Sequence, residues 1–190
     1  MKRVLIFFVH CFARLFYKRE YLSGKMFASD HLTLGWRLVL RYWFVQKIVG
    51  VNRKVPWPCS PLVKIGQWKN IEFDNDDIDN FTSPGTYFQS INARLKIGKG
   101  TKIAPGVGLI TANHSFDDLD QNAIGKDIEI GRNCWIGMNT VILPGVILGD
   151  HTIVGAGSIV TKSFSEGNCI IAGNPAKIVR YLDKPQRSIS

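Results

Sequence analysis

Residues 128–160 read IEIGRNCWIGMNTVILPGVILGDHTIVGAGSIV, and an aliphatic side chain returns at every sixth position: Ile130, Ile136, Ile142, Leu148, Val154 and Val160. Ile91, Ile97, Ile103 and Leu109 keep the same spacing upstream. Most precede Gly or Ala (Gly98, Ala104, Gly131, Gly137, Gly149, Gly155). Four positions after the aliphatic residue sits a small or β-branched one: Thr101, Val107, Cys134, Thr140, Val146, Thr152 and Ser158. A period of six fits neither an amphipathic helix nor a simple alternating strand. It predicts a mainly β fold, a parallel β-helix in which each hexad supplies one short strand and one corner. The aliphatic and small side chains point inward, and Gly relaxes the backbone at the corners.

Working outward, two early hexads begin at Ile65 and Ile71, and the pattern then breaks over residues 77–90. Asp74, Asp76, Asp77 and Asp79 cluster at that break. They lack the spacing and the turn Gly of a metal loop, so the stretch reads as a solvated corner. A second break covers residues 113–127. Insertions into a solenoid form loops, often on the functional face. Upstream, Pro56, Pro58 and Pro61 forbid a helix interior and mark a boundary. The expected organisation is an extension over 1–54, a β-helix over 55–165, and a C-terminal turn and basic tail over 166–190.

The extension holds the charge. Eleven Lys/Arg there oppose only Glu20 and Asp30, which accounts for the whole net charge of +9. Residues 4–16 are almost wholly apolar, yet Arg14 interrupts the run and no small-residue cleavage site follows, unlike a signal peptide. The run is also too short to cross a bilayer, which takes about 20 residues. Leu34 to Val51 mixes Trp36, Trp43 and Phe44 with Arg37, Arg41 and Lys47. Helical, it fits a membrane interface or a cap on the open end of the coil. Basic residues interleaved with large apolar ones favour lipid over nucleic acid as a partner. The four cysteines show no paired spacing and read as free thiols in a reducing compartment.

Of four histidines, His10 and His31 lie in the extension, and His151 occupies an outward mid-hexad position. His114 follows Asn113 where the repeat gives way to a loop. Imidazole is the side chain suited to taking a proton from a hydroxyl near neutral pH.

The motifs Thr111-Ala112-Asn113-His114, Trp135-Ile136-Gly137, Leu143-Pro144-Gly145-Val146, Val154-Gly155-Ala156-Gly157-Ser158 and Gly173-Asn174-Pro175-Ala176-Lys177 together resemble the hexapeptide-repeat acyltransferases, in particular bacterial sugar and polysaccharide O-acetyltransferases. The resemblance covers about half the chain. It implies a left-handed coil, although parallel crossovers are right-handed in general. It implies acetyl-CoA as co-substrate without a metal, with His114 as general base and Asn113 fixing its geometry or touching the acceptor. Trp135, Met138, Ala156, Thr161, Lys162, Lys177 and Arg180 match positions that line the coenzyme. Met138 departs from the small polar residue that several sugar acetyltransferases carry there. The resemblance further implies a homotrimer with sites between subunits and a carbohydrate acceptor. With the basic extension, it points to a glycan or lipid-linked precursor at the inner face of a bacterial cytoplasmic membrane. An N-acetyltransferase of amino or nucleotide sugars and a non-catalytic membrane-associated scaffold are the alternatives. The γ-class carbonic anhydrases share the fold, but their metal needs three histidines and the repeat region holds only His114 and His151.

Overall fold

The computed structural model describes residues 2–28 and 31–183; Asp30 of the extension and residues 184–190 of the expected tail lie outside the described residues. The chain opens with α1 (Lys2–Arg14), α2 (Leu34–Trp43) and a π-helix over Phe44–Val49. Strands follow: β1 (Lys64–Ile65), β2 (Ile71–Glu72), β3 (Tyr87–Gln89), β4 (Leu95–Ile97), β5 (Lys102–Ile103), β6 (Gly108–Ile110) and β7 (Ile128–Ile130). They continue with β8 (Trp135–Ile136), β9 (Val141–Ile142), β10 (Ile147–Leu148), β11 (Ile153–Val154), β12 (Ile159–Val160), β13 (Cys169–Gly173) and β14 (Ala176–Tyr181).

Three hexads make one turn of a three-sided coil. Its first face is β1-β3-β6-β9-β12, its second β2-β4-β7-β10, and its third β5-β8-β11-β13-β14. All pairings are parallel except β13 with β14. Register places each aliphatic residue on its equivalent one turn away: Ile97 on Ile130 on Leu148, Ile103 on Ile136 on Val154, and Leu109 on Ile142 on Val160. These columns fill the interior, and each fully buried aliphatic side chain contributes roughly 1.5–3 kcal/mol.

The small residues at the inner corners are as buried as the aliphatic ones. Their hydroxyls would be costly there without partners. Thr101 donates to the Gly131 carbonyl (2.7 Å), Thr140 to Gly155 (3.2 Å), Thr152 to Gly149 (2.7 Å) and Ser158 to Gly155 (2.6 Å). The outer corner position is left-handed: Gly100, Gly106, Asn133, Asn139, Gly145, His151 and Gly157 all have positive φ. A side chain on Gly106 would strike Asn139 Oδ1 in the next coil.

The break over 77–90 is not a solvated loop. A 3-10 helix, Asn75–Thr82, runs where the third face would need a strand, and β3 completes the stretch. Asn80 lies along β5 as a strand would: its Nδ2 donates to the Thr101 carbonyl and its Oδ1 accepts from the Ile103 N–H, both at 2.9 Å. The buried Asp77 carboxylate accepts from the Gly100 N–H (2.6 Å) and from Lys102 Nζ (3.2 Å). Asp76 accepts from the Lys25 N–H (2.7 Å) and, with Asp74, pairs with Lys99. The acidic cluster therefore closes the unpaired edge of β5, an exposed template that proteins generally cover. The expected end at residue 165 also moves. Cys169–Gly173 adds a parallel strand beside β11, and β14 folds back on it. Phe164 takes the second-face position four residues after Val160, and Ile171 the third-face position seven residues later, a net loss of one residue over two hexads that hides the strand from a strict period.

The extension covers the start of the coil. Ile6, Val9, Ala13 and Tyr17 of the first helical segment and Trp36, Leu38 and Val39 of α2 are buried. An aromatic chain leads from Tyr21 to Trp57, Phe73, Phe81 and the inward Phe88, with centroids 4.6–4.9 Å apart. Buried Gln46 ties the π-helix to the linker, accepting from the Tyr17 hydroxyl (3.0 Å) and donating to the Trp57 carbonyl (2.9 Å). Among the described residues no helix is long and apolar enough to cross a membrane.

Asn80→Ala leaves the Ile103 N–H and the Thr101 carbonyl buried without partners. The expected loss is about 2–4 kcal/mol in urea unfolding. Lys96→Ala, which removes the exposed ion pair with Glu129, costs less than about 1 kcal/mol. Equal losses in the two variants would refute the edge-closing role of Asn80.

Candidate active site

His114 stands at the edge between the first and second faces. The rung beneath it is fixed: Thr111 Oγ1 donates to the Ile91 carbonyl (3.2 Å), and the Ala112 N–H donates to Gln89 Oε1 (2.9 Å). Beyond Ala112 the chain leaves the coil as a finger. The Ala123 N–H donates to the Asn113 carbonyl and the Ser115 N–H to the Gln121 carbonyl, both at 2.8 Å, with His114 opposite Asn122. The tip is closed by Asp118, whose carboxylate accepts from the Asp120 N–H and from Gln121 Nε2. At the base Asp127 accepts from the Arg94 N–H (2.8 Å) and pairs with its guanidinium (2.8 Å). Those contacts hold the Asp127 carboxyl below the usual carboxylate range, the backbone N–H foremost.

Asn113 and His114 are exposed on this finger. Among the described residues no side chain of the same copy hydrogen-bonds the imidazole, and Asp118 is committed to the tip. Phe116 and Ile124 of the finger are 99% and 91% exposed, so its apolar groups find no cover in this copy.

The remaining sequence-derived residues divide between two edges. Thr161 and Lys162 lie on the same edge as His114, two coils further on; the Lys162 ammonium sits 5.8 Å from the Phe164 ring. Met138 and Ala156 stack on the edge between the third and first faces, where the Gly157 N–H donates to the Met138 carbonyl (2.8 Å). Trp135 opens β8 on the third face, between Lys102 and Ile153, with its indole exposed. Lys177 and Arg180 sit on β14, across from Ala172 and Ile170, exposed and without ion pairs among the described residues. One copy thus brings Met138, Ala156 and Lys177 to one edge and His114 to another.

Between the two edges lies the first face. Because Phe88, Leu109, Ile142 and Val160 point inward, Tyr87, Gly108, Val141 and Ile159 form its outer column. That column is uncharged after Lys64. The second face carries Glu72, Lys96 and Glu129 outward, with a Lys96–Glu129 pair at 3.9 Å. Sequence reasoning missed this apolar column. Its signal was available: after Lys64, the residue before the inward one in each hexad of this face is Tyr87, Gly108, Val141 or Ile159. His151 keeps its outward mid-hexad position, partly exposed at a left-handed corner (φ 56°), its N–H bonded to the Arg132 carbonyl. Among the described residues no three His, Cys, Asp or Glu side chains are grouped to hold a metal.

A three-sided parallel coil with a histidine-bearing finger on one edge and unpaired basic groups beyond another has the layout of a β-helix transferase. The bacterial transferase hexapeptide family (six repeats) matches residues 127–162. The galactoside O-acetyltransferase of Escherichia coli K12 is 41% identical over 169 residues, covering 87% of this chain and 70% of that protein. Among solved structures, a galactoside acetyltransferase in complex with coenzyme A superimposes with a TM-score of 0.53 at 30% identity, covering 67% of this chain and 62% of that one. A hexapeptide-repeat acetyltransferase from Vibrio cholerae gives 0.53 at 27%, covering 66% and 70%. The chain belongs to the hexapeptide-repeat acetyltransferase family. It spans 64%, 45% and 54% of the length of acetyltransferase relatives from Dictyostelium discoideum, Schizosaccharomyces pombe and Saccharomyces cerevisiae.

The corner at His151 separates a structural histidine from His114. A left-handed backbone disfavours a Cβ-branched residue by about 1–2 kcal/mol, whereas Asn tolerates it. His151→Val is therefore expected to lose about that much in thermal or urea unfolding, and His151→Asn to stay within about 0.5 kcal/mol of the parent. A His151→Asn loss as large as that of Val would assign the imidazole a contact of its own.

Proposed function

We propose that the protein is an acetyl-CoA-dependent O-acetyltransferase acting on a sugar hydroxyl of a cell-surface glycan or its lipid-linked precursor. The observation that carries this reading is the uncharged first face, flanked by the His114 finger on one side and the Met138–Ala156 edge on the other. Closing three copies around that face buries it and sets the finger of one copy against the opposite edge of the next. Phe116 and Ile124 then find cover. A homotrimer with its sites between subunits follows as part of the proposal.

In such a site His114 takes the proton from the acceptor hydroxyl as its oxygen attacks the thioester carbonyl. The tetrahedral oxyanion is met by backbone N–H groups of the corners, and the imidazolium returns the proton to the departing thiolate of coenzyme A. Asn113, beside the imidazole on the finger, fixes its orientation or touches the sugar. Trp135, Met138, Ala156, Thr161 and Lys162 line the coenzyme. Lys177 and Arg180, exposed and unpaired, supply cations for its phosphates. The basic, aromatic extension supports a peripheral position on the inner face of a bacterial cytoplasmic membrane, where lipid-linked saccharides are presented.

Calorimetry with acetyl-CoA tests the reading. Wild type and His114→Ala are both expected to bind it, while transfer to a sugar acceptor falls about 10²–10⁴-fold in the variant. Lys177→Ala and Arg180→Ala are expected to raise the KM for acetyl-CoA more than they lower kcat. Loss of binding in His114→Ala would sink the general-base role. No binding by wild type would sink the transferase reading itself.

A further inference from the structure

α1 is apolar on two opposite sides. One side, Ile6, Val9 and Ala13, is buried, with α1 packed on α2. The other presents Val4, Phe7 and Phe8, with Leu15 two turns on, just past the helix end; Phe7, Phe8 and Leu15 are 63%, 64% and 77% exposed. A helix that packs on a domain needs one apolar stripe, and its outer side is ordinarily polar. Packing on α2 explains the first stripe and leaves the second unexplained.

α2 and the π-helix repeat the arrangement. Trp36, Leu38 and Val39 are buried, and Leu40, Phe44 and Ile48 are exposed at helical spacing. Half-buried aromatic rings bridge the two exposed stripes. The rings of Phe12 and Phe16 pack on Trp43 at 4.9 and 5.5 Å, and Trp43 packs on Phe44 at 5.7 Å. The result is one continuous apolar plate of two side-by-side helices. Its margins are cationic: Arg14 and Lys18 on the side of α1, Arg37 and Arg41 on the side of α2, all exposed. Neither helix nor the π-helix contains Asp or Glu.

We propose that this plate docks the protein flat on an anionic bilayer surface, deepening the membrane part of the proposed function. Three features select lipid over a second copy of the chain. Pairing two such plates about a twofold axis would set cations against cations, whereas phosphate headgroups complement them. α1 and α2, at 13 and 10 residues, are too short to span and long enough to lie in the interface. Aromatic and aliphatic residues flanked by Arg and Lys match the depth profile of that interface, apolar below and cationic at headgroup level.

The placement bears on the acceptor. The plate covers the end of the coil where β1 lies, and the His114 finger leaves the first face after β6, two strand spacings from β1. At about 4.8 Å per spacing the finger stands on the order of 10 Å along the coil from that end. With about 10 Å more for the helical layer itself, the gap to His114 is one that a lipid-linked saccharide of several sugar units would span.

The test is co-sedimentation of the full chain with vesicles of phosphatidylcholine alone and of phosphatidylcholine mixed equally with phosphatidylglycerol. Wild type is expected to pellet with the anionic vesicles, less so at high salt, and poorly with the neutral ones. Phe7→Asp/Phe8→Asp is expected to weaken this at least about tenfold, and Arg37→Gln/Arg41→Gln several-fold, with near-UV dichroism and the mass by light scattering unchanged. Wild type remaining in the supernatant with both vesicles, or both variants pelleting like wild type, would overturn the proposal. So would a change of mass in the Phe variant, which would make the plate a contact between copies. Acetyl-CoA calorimetry on the same samples is independent. Vesicle binding without acetyl-CoA binding would refute the transferase reading and leave the plate standing.

Discussion

Every part of this molecule depends on one constraint: equivalent residues of successive coils must stack on one another. The backbone of each short strand finds its partners only one turn above and below, so a hexad cannot be stable alone. Stacking demands an aliphatic residue inward, a small residue whose polar atom can be satisfied at the inner corner, and a backbone that accepts positive φ at the outer one. The hydroxyls of Thr101, Thr140, Thr152 and Ser158 meet the second demand by donating to corner carbonyls. Gly, Asn and, at one place, His151 meet the third.

A stack has ends and an edge, and these are where the repeat is abandoned. At the start, the helical extension and the Tyr21–Trp57–Phe73–Phe81–Phe88 chain cover the open interior. On the third face, Asn80 and Asp77 of a 3-10 helix stand in for an absent strand by offering side-chain partners to β5. At the far end, β14 turns back against β13. Each device satisfies backbone groups that the regular repeat would leave open, and each is irregular because its task occurs once.

The finger carrying His114 has the same logic. Its base is locked by Arg94 and Asp127 and its rung by Gln89, so the excursion does not disturb the stack. Its tip is left with uncovered apolar groups. The face beside it is the one whose outer column lacks charge beyond Lys64.

The period of six was sufficient to read the coil, its inward columns and the two places where it breaks, because side-chain direction in a strand depends only on local alternation. Asn113 and His114 were legible for the same reason, as polar residues at the point where the period stops. The acidic run was misread as solvated, since nothing local reveals that Asp77 and Asn80 meet Gly100 and Ile103 more than twenty residues away. β13 escaped because one missing residue shifts the register. The apolar outer column of the first face and the joined plate of α1 and α2 emerge only when distant residues are set side by side. Sequence alone determined the repeat and the point at which it gives way to the finger of Asn113 and His114, because those follow from spacing along the chain. Tertiary structure alone decided how the edge is closed, which residues share a side, and what each surface leaves uncovered, because those depend on contacts that spacing does not encode.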